Sequence, residues 1–436
     1  MMRWGRVTAA VSLLAVGFLL ALDLAGLIDS WKWLYTAWPA VFILLGVELI
    51  VLQAVARSRN RKMRFSWGGM LGAALLIGLA VLLVHGDRIK EAAGLDLHWI
   101  GIGAWIDGRK GEPVDLAPVF APVSAEASGV VIRHKAGNIT VRQGGDAGEL
   151  AVRAVAWPEG FGKNAEKTVR DIRLQVRETG ERLEVVVDVP SRRYLWWLYM
   201  PAVDLEVTLP PGADLSVEAE TAAGSIEAGP LGSDARLKTL DGNITLTAIR
   251  GSVFAETLNG DVAASDVEGN AELKTTNGDV SASDVKGNAK LNSTNGDIRA
   301  IRISGQADGH TVNGEIAIDT AGGGVRAHTV NGDITIAGTV LAGDWEAKSM
   351  HGTIVLRLPE GADAEIRAKH RFGGLKSDFP LRTEQNAAEG TLGAGTHRVF
   401  AETNGDIRIR RNGTSASADG EPGWARVPLT DLFSTD

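Results

Sequence analysis

The sequence predicts two parts: an N-terminal three-helix transmembrane region, then an all-β parallel β-helix, a single-chain β-solenoid built from 18-residue coils. Three observations predict it. Three apolar runs crowd the first 85 residues. Asp241, Asn259, Asn277, Asn295, Asn313 and Asn331 then recur every 18 residues, each followed by glycine. Apolar positions keep the same register.

The apolar runs are 7–28, 39–55 and 68–84, each about 17–22 residues, the length that crosses a ~30 Å hydrocarbon core. A cleaved signal peptide fits the first run less well, because no small-x-small site closes it and two further runs follow. Arg57, Arg59, Arg61, Lys62 and Arg64 lie between the second and third runs, and Arg3 and Arg6 precede the first. The first link holds only Lys32, beside Asp29. Positive-inside bias therefore predicts a cell-membrane protein with its N-terminus inside and its C-terminal domain outside. Trp4, Trp31, Trp33, Trp38, Trp67, Trp99 and Trp105 lie within or near the flanks of the runs, where indoles suit the headgroup layer.

Two carboxylates fall within the runs. Asp23 lies near the outer end of the first; Glu48 lies mid-way along the second, where a charge costs roughly 2.5–3.5 kcal/mol. Both are candidate contacts to a membrane partner. The alternative for Glu48 is a protonated acid hydrogen-bonded inside the helix bundle.

The remaining chain divides into a juxtamembrane linker (86–120), a β-rich cap (121–222), solenoid repeats (223–411) and a polar tail (412–436) expected to be disordered. In the repeats a second glycine series, Gly251, Gly269, Gly287, Gly305 and Gly323, marks the half-period. Two residues after the first glycine stand Ile226, Ile244, Val262, Val280, Ile298, Ile316, Ile334 and Ile354, and a hydroxyl column runs Thr239, Thr257, Thr275, Ser293, Thr311, Thr329. Two extra residues follow Asn331, and His351–Gly352 resumes the register. An 18-residue unit cannot bury its apolar face alone, but stacked units bury every column in one core. Asn259, Asn277, Asn295, Asn313 and Asn331 should then form a ladder at one corner, since asparagine tolerates the turn and its amides bond along the axis. Lys238, Glu256 and Lys274 form an outward column of alternating sign. Hairpins also use Asn-Gly, yet a hairpin sandwich would not hold an 18-residue register. Asn404-Gly405-Asp406 restates the motif and is expected to make the final rung.

Chemistry is sparse. The chain lacks HExxH, G-x-S-x-G, P-loop and Rossmann signatures and has no cysteine. A net charge of −8 gives no basis for nucleic-acid binding. His310 and His328 share a column, as a zinc pair or as solvated surface. Asp261, Asp279, Asp297 and Asp333 invite comparison with calcium-binding β-rolls, but the GGxGxD unit is missing and turn capping explains them. No catalytic residue, metal or cofactor is expected. Trp196, Trp197 and Tyr199 form the densest aromatic run outside the membrane part, either packed beneath the cap, set against the bilayer, or exposed as a docking patch.

Two resemblances add to this reading. GRVTAAVSLLAVGFLLALDLAGLI and WPAVFILLGVELIVL, within residues 5–55, resemble the transmembrane region of LiaI/LiaF-type envelope-stress proteins. LEVTLPPGADLSVEAETAAGSIEA, the NGD-V/I-x-A repeats, IVLRLPEGADAEIRAKHRFGGLKSDFPL and TLGAGTHRVFAETNGDIRIRR, across residues 125–411, resemble the bacterial adhesin-like β-strand-repeat domain of unknown function. The second resemblance implies a parallel β-helix and a binding role. The expected partners are the lipid bilayer and either a cell-wall polymer or a membrane protein. The expected function is a non-enzymatic adhesin-like or scaffold module. The alternatives are a Lia-type stress sensor, although the usual C-terminal domain of that family is missing, and a carbohydrate-active β-helix enzyme.

Overall fold

The computed structural model describes residues 113–146, 148–157, 169–189 and 202–412, with short pieces at 2–4, 18 and 63–65. The chain divides into two compact units; the larger, Arg109–Pro158, Gly162–Asp188 and Pro201–Asp436, carries the fold described below. The predicted spans with Asp23 and Glu48, and the run holding Trp196, Trp197 and Tyr199, lie outside the described residues. Among the described residues no helix is long and apolar enough to cross a membrane.

Each 18-residue repeat makes one rung of two strands. Ile244–Ile249 lies in one sheet, Val253–Glu256 crosses to the other, and the turn at 257–261 returns the chain to Val262–Val267 directly over Ile244–Ile249. Ile244 pairs with Val262, Val262 with Val280, Val280 with Ile298 and Ile298 with Ile316, all parallel. Asn331 pairs with His351, so the two-residue insertion is absorbed between rungs without loss of register. Two sheets of fifteen strands result, and twelve successive strands in each run parallel. At about 4.8 Å per strand the stack is roughly 50 Å long.

The period-two alternation puts alternate residues between the sheets. Ile244, Val262, Val280 and Ile298 are buried in the first sheet, and Leu237, Leu273 and Leu291 in the second. Burying such a side chain stabilises by about 1.5–3 kcal/mol, so the columns hold the stack without any disulfide. Each first-sheet strand adds a third inward residue by breaking the alternation once. Ala248, Asp266, Asp284, Arg302 and Thr320 have φ of 53–56°, in the left-handed region. This shifts the face by one residue and turns Ile249, Val267, Val285, Ile303 and Ala321 into the core.

At the Asn-Gly corner only glycine fits. Gly278 has φ +149°, and a Cβ there would stand 2.1 Å from the Gly260 carbonyl oxygen one rung below.

Both ends of the stack depart from chain order. The N-terminal rung, Gly129–Arg133 and Ile139–Gln143, inserts between the rung at 182–209 and the rung at 216–228. The C-terminal rung, His397–Thr403 and Ile407–Arg411, inserts between Trp345–Leu358 and Ala364–Ser377. Asn404-Gly405-Asp406 is therefore on the penultimate rung, not the final one. The last rung belongs to 364–377, where Gly373 takes the turn position against the Gly405 carbonyl. Its outer edge is occupied by the antiparallel strand Ala387–Leu392. At the other end Glu149–Trp157 and Arg173–Thr179 run antiparallel to the outermost strands. Antiparallel strands thus cover both sheets at the N-terminal end and the second sheet at the C-terminal end, where the first sheet ends on the short strand Leu375–Ser377. Covered edges limit edge-to-edge association.

Candidate functional site

Three side-chain ladders run along the corners. In the first, Asn259 Nδ2 donates to Asp241 Oδ1 at 2.5 Å, and Asn277, Asn295, Asn313 and Asn331 each donate to the asparagine below at 2.8–2.9 Å. These asparagines are exposed at the outside of the corner. In the second, the carboxylate after the glycine accepts a backbone N–H from the next rung: Asp261 from Asp279, Asp279 from Asp297, Asp297 from Glu315, at 2.7–2.8 Å. At the opposite corner Asn270 accepts from Asn288 N and Asn288 from Gln306 N, at 2.9 and 2.8 Å. The hydroxyl column faces inward: Thr275 Oγ1 donates to the Gly260 carbonyl at 2.9 Å and Ser293 Oγ to that of Gly278 at 2.9 Å. The repeat aspartates hold backbone, and among the described residues no group of three or more His, Cys, Asp or Glu is placed to hold a metal ion.

Two hollows lie on the outer face of the second sheet. One groove of about 560 Å³ is lined by Asp234, Phe254, Asn270, Glu272, Asn288 and Lys290, among others. A second, of about 670 Å³, is lined by Arg326, Asp344, Glu346, Arg367, Arg398 and Phe400. Both include Gln306 and Asp308, so together they run along much of the stack.

The register brings this lining together, because residues 18 apart on adjacent strands sit side by side. Phe254, Glu272, Lys290, Asp308, Arg326 and Glu346 are successive members of one column. Charges in it neutralise one another. Glu272 sits 2.8 Å from Lys274 and 3.4 Å from Lys290. These ammonium groups, Lys274 foremost, hold its carboxyl below the usual carboxylate range. Lys348 does the same for Glu346, and the Arg398 backbone N–H for Asp344. Glu272, Asp344 and Glu346 therefore stay ionised to lower pH than ordinary carboxylates. Phe254 lies under Arg236, with the guanidinium carbon 4.4 Å from the ring centroid, and between Lys238 and Lys274 at 5.4 and 5.0 Å. Lys238 also meets Glu256 at 2.9 Å.

Next to this column His310 and His328 meet edge to face, with ring centroids 4.9 Å apart. His310 is 2.7 Å from Asp308, and His328 is 3.6 Å from Glu346. Burial first, and then His310, lower the His328 pKa. Each imidazole lies beside a carboxylate as a member of the outward charge column.

The sequence named neither the groove nor Phe254 and Phe400. The available signal was the outward position two residues before each hydroxyl-column neighbour, which alternates in charge except where Phe254 and Phe400 stand.

Among proteins of curated function none matches this chain. Three solved structures that this chain matches are a candidate cell adhesion protein of Clostridium sporogenes, a candidate adhesin of Bacteroides fragilis and a candidate lipid-binding protein of Parabacteroides distasonis. The first is 9% identical, with 69% of this chain and 100% of that chain covered and a TM-score of 0.19. The second is 14% identical, with coverages of 69% and 98% and a TM-score of 0.23. The third is 10% identical, with coverages of 67% and 96% and a TM-score of 0.28. Residues 128–410, which hold every paired rung described above, match the family described as Toastrack DUF4097, and the chain belongs to that family.

Proposed function

We propose that this protein is a membrane-anchored, non-enzymatic binding module of the cell envelope, adhesin-like in kind, whose second-sheet groove holds an extended polar polymer. The observation that carries this reading is the groove itself. It is long and open, its column of outward side chains alternates acid and base from rung to rung, and neighbouring charges in it pair with one another. A surface of laddered amides, paired ions and an occasional aromatic ring suits a neutral or weakly charged glycan chain better than a compact metabolite. The anchoring rests on the three apolar runs and on the LiaI/LiaF-like character of residues 5–55. Those features put the groove outside the membrane, where wall polymers are.

The test places a photo-crosslinking residue at Lys290, exposed in the groove, or at Ser283, on the outer face of the other sheet, in full-length protein in intact membranes. Glycan adducts at 290 and none at 283 are expected. Adducts at 290 consisting only of one membrane protein would favour the Lia-type regulator, and equal labelling at both positions would remove the groove from consideration.

A further inference from the structure

The outer face of the first sheet differs from the second. Over its middle rungs it is small and nearly uncharged: Thr245, Thr247, Ala263, Ser265, Ser281 and Ser283. At the C-terminal end it becomes basic. Arg357 pairs in register with Arg410, and Arg408 with Lys376. Arg408 and Arg410, two residues apart on one strand, share that face. Four cations from three separate chain segments therefore form one array. Neighbouring members are about 4.8 Å apart across strands and about 6.6 Å apart along one strand.

This array is created by the inserted C-terminal rung. Without 407–411 between them, Arg357 and Lys376 would have no basic neighbours. The arrangement also runs against cross-strand energetics. Like charges placed opposite one another are destabilising, and the second sheet of this protein avoids them by alternating sign. Among the described residues, Asp406 is 3.8 Å from Arg408, Glu360 is 3.7 Å from Arg411, and Asp378 accepts the Arg411 backbone N–H at 3.1 Å.

We propose that this patch binds a linear polyanion carrying closely spaced phosphate groups, independently of the glycan groove. Guanidinium groups present paired donors that match phosphate oxygens, so three arginines spaced by the strand geometry engage successive phosphates of one chain. Bound phosphate offsets the repulsion between Arg357 and Arg410. The chain as a whole has a net charge of −8, so the surface away from this patch repels a polyanion and concentrates it on this end. A flat face with no groove favours a flexible polymer laid across strands, and the cations are spaced for groups on one chain. A lipid headgroup surface is the competing source of phosphate.

The experiment uses full-length protein in nanodiscs of zwitterionic lipid, titrated with long-chain inorganic polyphosphate at rising salt. Salt-dependent binding is expected, weakened about ten-fold or more by the double change Arg408→Gln/Arg410→Gln. Lys238→Gln, on the other sheet, should leave binding unchanged. The Arg410→Gln change should leave the melting temperature of the free protein level or higher, because it relieves a like-charge pair. If the double variant does not fold, Lys376→Gln, an exposed change on the last rung, carries the test with a smaller expected loss. Binding that survives both sets of changes overturns the proposal. So does tighter binding to phosphatidylglycerol vesicles than to polyphosphate, since that result assigns the cations to a membrane surface.

Discussion

Asn277 Nδ2 donates to Asn259 Oδ1 at 2.8 Å, and Asn277 Oδ1 accepts from Asn295 Nδ2 at 2.9 Å, so each asparagine is both donor and acceptor along the axis. Asp241 stands at the start of this ladder, where a residue need only accept. An acid is therefore tolerated there and nowhere higher. Asn277→Asp should destabilise the stack by about 1 kcal/mol, by losing one bond and opposing two acceptors, while Asp241→Asn should be close to neutral. Denaturant titration of the two variants checks the contrast.

Gly278→Ala should be far more damaging than either. The added Cβ would meet the Gly260 carbonyl oxygen at 2.1 Å; the main chain fixes the Cβ and the carbonyl is itself backbone, so neither can rotate away. A loss of roughly 2–4 kcal/mol is expected from strain and rung separation together. Gly361→Ala, in open space with nothing within 4 Å, is the control. Equal melting temperatures for the two variants would contradict the close rung contact.

Thr275 is buried and its hydroxyl is bonded to the Gly260 carbonyl. Thr275→Val keeps the shape and orphans that oxygen, at an expected cost of about 1–2 kcal/mol. Thr275→Ser should cost less, because Ser293 fills the equivalent place one rung on with the same bond. Amide exchange around Gly260 and Gly278 would locate the effect.

Acid should loosen the N-terminal end first. The ring of His134 is held against the Ala136 carbonyl, and burial pushes its pKa from 6.5 down to about 4. The unfolded chain binds this proton more readily than the folded one. The stability contributed is therefore full above pH 6.5 and is lost as pH falls from there towards 4. His134→Gln should flatten the dependence of melting temperature on pH within that window. An unchanged slope would show that another group governs it.

Much of the stack was legible in the sequence because its information is periodic. An 18-residue recurrence of Asn-Gly with Ile or Val two residues later leaves little choice but superposition, and the columns from Ile244 to Ile316 follow directly. The ends were less legible. Ala136-Gly137-Asn138-Ile139-Thr140-Val141 matches Asp241-Gly242-Asn243-Ile244-Thr245-Leu246 closely, yet it lies outside the 18-residue spacing, so its place in the stack had no periodic signal. The order of the last rungs was hidden for a related reason. Periodicity says which residues share a column but not which chain segment lies next to which. The grooves and the basic array are properties of neighbouring strands, and so they emerged only once the pairings were known.

The rung at 397–411 lies between two segments that leave the ribosome before it. A solenoid of consecutive coils could be completed turn by turn as the polypeptide is synthesised, but this one cannot. Until residues 397–411 arrive, Trp345–Leu358 and Ala364–Ser377 face a vacant slot one strand wide. Assembly of the distal end thus waits on residues 397–411, and a chain stopped before them would display two unsatisfied strand edges to quality-control proteases.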